Sequence, residues 1–459
     1  MVFTLALTAC GGGGGGASTG SDVPTDSSGG TSSTASNDTV GKQTINLWSF
    51  TDEVPNMVEK YIELNPEFAE KYEVNVTTIA TTEGAYQPAL DQALVSGGKD
   101  APDMFAAEAA FVLKYTQGDM AGFAATYKDL GIDVDNLINE AEIAQYTVDI
   151  GSRNDEVVGL GFQATGGAVI YRRSLAMDVW GTDDPAEVAK KIGPGWDQFM
   201  TAAAEMDASG YSMVSGAGDI WQAIRNTGDS PWIVDETLYI DPVREAHFEY
   251  TKMLYENGWM NDTTAWQDAW FADMAGIGER EVFAFLGPAW LINYVMESNV
   301  GGSALGEGTY GDWAVAIPPV GFFWGGTWVL ANKDTQVTEG VAELIEWITL
   351  DSSQDGLQYK WANGTLFGSD GTKDTVSSGR VMSISDGAVS LLGEQNMFDV
   401  FVPAGEYASG TILTQYDETI NNWFHDQAME YARGNKSRDA AIRDFKQQVA
   451  DNLAVNVDF

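Results

Sequence analysis

The chain has 459 residues, 44% of them hydrophobic and 11% aromatic, enough to bury the cores of two or three domains or of one large two-lobed unit. Lysine and arginine number 24 against 67 aspartates and glutamates, a formal charge of −43 that repels phosphate backbones, argues against nucleic-acid binding and disfavours a strongly anionic ligand. The one cysteine, Cys10, excludes an internal disulfide, and beyond a short apolar leader no run approaches the roughly 18 residues of a membrane helix.

In chain order, the first signal is Leu7-Thr8-Ala9-Cys10, followed by six glycines, Gly11 to Gly16. It resembles a bacterial lipobox, in which cleavage precedes the cysteine and its thiol is lipidated. The apolar stretch before it is short and has no basic residue, so residues 1–10 are expected to be a truncated lipoprotein signal. Lipidation of Cys10 with more than one acyl chain implies firm anchoring, since one chain alone binds membranes only marginally. Residues 11–43 are almost all Gly, Ser, Thr, Asp and Ala, a composition that cannot bury enough apolar surface to fold. As a coil, this tether spans roughly 30 Å and concentrates the folded part near a membrane partner.

Folded sequence begins with the alternating strand Thr44 to Phe50, then a helix from Pro55 to Asn65 and a strand from Glu73 to Ile79. A helix from Tyr86 to Val95 stops at Gly97-Gly98, and Ala101 to Ala107 reads as a buried strand. This strand–helix alternation predicts a parallel sheet with crossover helices. Val157 to Gln163 and Gly167 to Tyr171 read as strands, Trp196 to Ala208 and Arg244 to Asn257 as helices stopped near glycine. Val282 to Gly287, Trp313 to Ile317 and Gly326 to Ala331 read as strands and Val341 to Leu350 as a helix. Gln415 to Leu453 reads as two helices broken near Gly434.

Several spaced blocks together resemble the extracellular solute-binding proteins of carbohydrate ABC importers, the group that includes the maltodextrin-binding proteins. They are Leu47-Trp48-Ser49-Phe50 with Asp52 and Glu53; Ser96-Gly97-Gly98 with Ala101-Pro102-Asp103; and Tyr115-Thr116-Gln117-Gly118. They continue with Gly159-Leu160-Gly161-Phe162-Gln163 before Val169-Ile170-Tyr171, then Gly195-Trp196-Asp197-Gln198-Phe199. Ala284-Phe285-Leu286-Gly287-Pro288-Ala289-Trp290 and Gly325-Gly326-Thr327-Trp328-Val329-Leu330 complete the set. Order and spacing, over residues 44 to about 450, carry the match. One departure is Gly278-Glu279-Arg280-Glu281-Val282-Phe283, where the family usually has Gly-Lys-Ala-Ala before its strand.

The resemblance implies an α/β protein with the two-lobed, periplasmic-binding-protein-like fold of type II, its lobes joined by hinge strands. Residues 44–163 with 322–370 would form one lobe, and 164–321 with 371–459 the other. It implies a monomer without cofactor that shuts around a carbohydrate, an oligosaccharide given the abundance of tryptophan. It also implies delivery of that ligand to the importer's membrane permease subunits. A sugar presents hydroxyls at its edge and apolar C–H patches on its faces, so polar side chains and flat aromatic rings should line the cleft. The residues expected there are Asp52 and Glu53 after the first strand, Glu108 after the Pro102-Asp103 strand and Gln163 at the crossover. Asp219 and Trp221 after Gly216, Trp290 after Gly287-Pro288, Trp324 before Gly325-Gly326, and Tyr416 opening the penultimate helix complete the set. Trp48 is expected to pack rather than touch ligand, and Trp196 and Trp347 fall at core positions.

An enzyme finds less support in the residues. His247 and His425 are the only histidines, both in helix patterns and without metal-ligand spacing. Asp133-Val134-Asp135-Asn136 starts like a calcium loop but lacks the glycine and the later glutamate, so no metal is expected. Gly434-Asn435-Lys436-Ser437 lacks the upstream glycines of a phosphate loop. Two further readings stay open: a receptor for a non-sugar solute such as a peptide, polyamine or glycerol phosphate, and a tethered glycan-degrading enzyme with paired carboxylates.

Overall fold

Alternation of apolar and polar side chains sets the first strand. In the computed structural model, which describes residues 41–81, 84–368 and 371–459, β1 (Gln43–Ser49) buries Ile45, Leu47 and Ser49. The lipobox Cys10 and the tether up to residue 40 lie outside the described residues. Helix Glu53–Leu64 buries Val54, Met57, Val58 and Tyr61, the i, i+3, i+4, i+7 stripe of an amphipathic helix. It leads back so that β2 (Tyr72–Thr78) pairs with β1 in parallel, Ile45 opposite Val74 and Leu47 opposite Val76. Helix Tyr86–Ser96 makes the next crossover, and β3 (Met104–Glu108) pairs with the other edge of β1, also in parallel. Every residue of β3 but Glu108 is buried, which explains its continuous apolar run.

The chain then passes through β4 (Gly159–Gly161) into a second sheet of β5 (Ala168–Arg172), β6 (Ser212–Val214), β7 (Val282–Gly287) and β8 (Trp313–Ala316), ordered β8-β5-β7-β6. It returns as β9 (Thr327–Ala331), which lies antiparallel between β3 and β4 and gives the first sheet the order β2-β1-β3-β9-β4. The two passages between sheets, 162–167 and 317–326, run side by side. Gly167 N–H donates to Phe322 O at 2.9 Å and Trp324 N–H to Thr165 O at 3.1 Å. A Cβ on Gly167 would stand 2.0 Å from Phe322 Cζ, so only glycine allows this close passage. The result is a two-lobed α/β fold with paired connecting segments.

Three expectations shift. Val157 to Gln163 is not one strand but two short ones, Glu156–Val157 and Gly159–Gly161, because Val158 and Gly159 bend to bond Gly151 O. The helix expected over 244–257 divides at Ala246 into Pro242–Glu245 and His247–Glu256. The C-terminal segment stays with the first lobe beyond residue 370: Ala144 N–H bonds Ser377 O, Gly379 N–H bonds Glu142 O, and helix Gly379–Ser383 packs on helices Val134–Ala141 and Leu357–Ala362. It reaches the second lobe later, where the Gln395 amide bonds the N–H and C=O of Val315, both at 2.9 Å. Helices Asp417–Ala432 and Arg438–Asn452 then pack on the second lobe, the first of them against helices Ala217–Ile224 and His247–Glu256. Trp196 and Trp347 are buried in the cores of the second and first lobes. No helix among the described residues is long and apolar enough to cross a membrane.

Candidate ligand-binding cleft

A cleft of about 590 Å³ opens where the end of β3 faces the second lobe. The first lobe supplies Glu108, Ala109 and Ala110; the connecting segment supplies Phe323, Trp324 and Gly325. The second lobe supplies one face of helix Ala217–Ile224, the loop 263–266 and one face of helix Asp417–Ala432 along its whole length, ending at Arg433. The strand end explains the position of Glu108: β3 stops pairing with β9 there, at Glu108 opposite Thr327, and the side chain is free to turn toward the gap.

Two indoles on the lining, Trp266 and Trp324, form a corner of this cleft with Trp290 packed against both. The Trp266 and Trp290 rings are nearly parallel, 9° apart with centroids at 6.1 Å, and Trp324 stands across both at 70° and 66°. Trp290 Nε1 donates to Trp324 O at 2.9 Å, which fixes the angle between those two rings. Trp266 is 50% exposed and adopts a left-handed backbone with φ of 70°, a conformation uncommon for a bulky residue and one that concentrates at functional sites.

The opposite wall is polar and incompletely satisfied. Trp221 Nε1, Gln222 Oε1, Arg225 Nε and Asp417 Oδ2 are buried atoms without a hydrogen-bond partner among the described residues, and all four belong to residues lining the cleft. Buried polar atoms are almost always partnered, so such a cluster marks where the polar groups of a guest would sit. Trp221 is 3% exposed and clamped from behind by His247, with centroids 4.4 Å apart, and by Phe424 at 5.5 Å. His247 Nε2 and His425 Nδ1 are 2.9 Å apart, one donating to the other. Burial, and then the neighbouring imidazole, hold His247 well below its usual range. Burial, and then Arg433 and Arg225, hold His425 at about 4. Both rings are therefore neutral near pH 7 and form a rigid backing rather than a charge.

Burial pushes Glu108 up to about 7 against the lowering effect of the Ala110 N–H, which donates to Oε2 at 2.8 Å. Asp417 is raised to about 6, also by burial, while hydrogen bonds from Thr414 and the charge of Arg244 work in the other direction. Among the described residues no cluster of three or more His, Cys, Asp or Glu is arranged to hold a metal ion.

Of the residues expected at the site, Glu108, Trp221 and Trp324 line the cleft, and Trp290 stands immediately behind Trp324. Asp219 does not reach the cleft. It is buried, its Oδ1 accepts from Trp270 Nε1 at 3.1 Å and its Oδ2 from Gly216 N–H at 3.0 Å, so it braces the start of helix Ala217–Ile224. Tyr416 caps helix Asp417–Ala432 and packs half-buried on the second-lobe core. Asp52 is exposed and accepts from Thr78 Oγ1 at 3.2 Å. Glu53 and Gln163 belong to a different cluster. Gln163 Nε2 donates to Asp374 Oδ2 at 2.7 Å, and Asp374 Oδ1 accepts from Thr375 N–H at 2.7 Å. Burial raises both Glu53 and Asp374 to about 7, and the charge of Glu53 adds to the shift at Asp374.

Sequence reasoning missed Trp266, Gln222, Arg225 and Asp417. Gln222 and Arg225 follow Trp221 by one residue and one helical turn, so recognising Ala217–Ile224 as a helix would have placed them beside it. Asp417 adjoins Tyr416 on the penultimate helix. Trp266 precedes a helix in a polar stretch, and no periodicity distinguishes it.

Comparisons with known proteins agree with this architecture. The model of the bacterial extracellular solute-binding protein family matches residues 63–367, about two thirds of the chain. The fold is similar to a crystal structure of an extracellular solute-binding protein of family 1, with a TM-score of 0.72, 19% identity, and coverage of 89% of this chain and 99% of that one. It is similar to the sugar-binding protein MalE from Xanthomonas citri, with a TM-score of 0.66, 15% identity, and coverage of 89% and 97%. It is also similar to the galacto-N-biose/lacto-N-biose I-binding protein of an ABC transporter from Bifidobacterium longum, in complex with lacto-N-biose, with a TM-score of 0.61, 15% identity, and coverage of 91% and 99%. No curated protein gives a significant sequence match. With the family model running through both sheets and both connecting segments, the chain belongs to the bacterial extracellular solute-binding proteins.

Proposed function

We propose that the protein is the receptor of an ABC importer and binds a carbohydrate, an oligosaccharide, without altering it. The observation that carries this reading is the meeting, in one cleft, of an indole corner with unpartnered buried polar atoms. Flat rings of Trp266 and Trp324 suit the C–H faces of pyranose units. Gln222 Oε1, Arg225 Nε and Trp221 Nε1 offer one acceptor and two donors to hydroxyls. The solved neighbours add support, since the Bifidobacterium longum protein holds lacto-N-biose and the Xanthomonas citri protein is named for sugar binding. On this reading Glu108, Trp221, Trp290 and Trp324 are ligand-binding residues, joined by Trp266, Gln222, Arg225 and Asp417.

Closure of the lobes follows from the ligand's higher affinity for the shut form. The monomeric receptor would present that form to the permease subunits, anchored by lipid on Cys10 at the outer face of the cell membrane. Calorimetric titration with an oligosaccharide panel tests the binding claim: saturable heats with no product formed are expected, whereas hydrolysis, or binding only to a non-sugar solute, overturns it. Membrane fractionation of Cys10→Ser tests the anchor, with release into the medium expected and retention on the membrane counting against it.

A further inference from the structure

The cleft is acidic, and its own arginines do not balance it. Glu108, Asp417, Glu418, Asp426 and Glu430 line it against Arg225 and Arg433. Both guanidiniums are engaged, Arg225 Nη1 lying 3.2 Å from Glu418 Oε2 and Arg433 Nη2 lying 2.8 Å from Asp262 Oδ1. Of these five carboxylates only Glu418 forms an ion pair among the described residues; Glu108 has one strong hydrogen bond, from the Ala110 N–H, and meets Arg225 only through its charge.

Its setting is aromatic. A Cβ added at Gly325 would stand 3.7 Å from Glu108 Oε1 and 3.4 Å from Trp290 Nε1, ordinary contact distances, so the carboxylate and the edge of that indole flank one small space beside Gly325. Desolvation holds the Glu108 carboxyl at about 7, a position that a bound cation would reverse. A carboxylate that shares a pocket with indole rings is an arrangement that recognises an alkylammonium. The rings attract the cation through their quadrupoles, and the carboxylate accepts a charge-assisted hydrogen bond. A neutral hydroxyl can donate to the same carboxylate but lacks the attraction of a cation to the rings and of opposite charge to the carboxylate. The net charge of −43 adds a field that draws cations inward.

We propose that the saccharide bound here carries a free ammonium group, docked between Glu108 and the Trp266–Trp290–Trp324 corner: an amino sugar in its unacylated form. This rests on the carbohydrate reading and narrows it. A second, independent anchor on the same guest is the unpartnered Asp417 Oδ2, in a side chain only 8% exposed, across the cleft wall.

The test is calorimetry on the full chain at pH 6 with matched mono- to tetrasaccharides, each as the free amine, the N-acetyl form and the hydroxyl form, with spermidine as a non-sugar amine. The amine form is expected to bind about tenfold more tightly than its neutral partners, and Glu108→Gln is expected to bring that ratio to about one. The wild-type ratio needs no variant to fold. Equal or tighter binding of the neutral forms overturns the ammonium proposal and leaves the carbohydrate reading standing. Spermidine binding with no saccharide bound, or no binding at all, overturns both.

Discussion

Two places in the protein bury carboxylates between chain segments distant in sequence, and they behave differently. At Glu108 the neighbours are exposed or half-buried indoles and a wall of unpartnered polar atoms. At Glu53 and Asp374 the carboxylate oxygens of Asp374 are already taken by Gln163 and Thr375. Glu53, Glu108 and Asp374 share the same upward shift to about 7, driven in each case by burial. A displaced pKa alone therefore does not mark a ligand site; what separates the two clusters is whether the surrounding hydrogen-bonding capacity is already used.

The sharpest way to break this distinction is Trp266→Ala combined with Trp324→Ala. If the Glu108 cluster is the binding one, losing both faces weakens saccharide affinity by about 3 kcal/mol, on the order of a hundredfold, in calorimetric titration. Affinity within threefold of the wild type would remove the cleft from consideration.

The sequence made one half of this contrast readable. The strand that ends at Glu108 is a continuous apolar run after Pro102-Asp103, and the turn that carries Trp290 follows Gly287-Pro288, so strand ends could be placed from pattern alone. Helix faces could not. Asp219 and Trp221 lie two residues apart on one short helix, yet one side chain braces Trp270 and the other walls the cleft, and only the helix's rotation decides which. Gln163 falls at the expected crossover, but its direction depends on Asp374, 211 residues later. Trp266 owes its place to a left-handed backbone that no local residue pattern announces.

Gln163→Ala probes the satisfied cluster. It leaves Asp374 Oδ2 buried without its amide partner, a loss of about 2 kcal/mol in folding stability. Ligand affinity should stay within twofold; a tenfold fall would return Gln163 to the site. Gln222→Ala has the reverse signature. Its Oε1 has no hydrogen-bond partner among the described residues, so folding stability should hold while affinity falls by about 1 kcal/mol, roughly fivefold.

The smallest effect expected is also the one that separates burial from binding by pH. The folded-state pKa of Glu53 stands near 7, above the ordinary 4.5, because burial disfavours its ionised form. A raised value means that the folded state holds the proton more tightly than the unfolded chain. The stabilisation is complete below about pH 4.5 and is lost as pH rises through 7. At pH 4, below both values, the side chain is neutral in the folded state and mostly so in the unfolded one, and Glu53→Gln replaces it with a neutral isostere, so the melting temperature should hardly change. At pH 8 the wild type carries a desolvated carboxylate close to Asp374, and the variant should be more stable by up to about 1 kcal/mol, discounted for partial exposure. Paired thermal melts at the two pH values measure this, with saccharide affinity followed alongside. A gain at pH 8 with affinity unmoved places Glu53 with the internally satisfied carboxylates. A loss of affinity at both pH values would mean that the ligand reaches further along the interlobe face than the Glu108 corner.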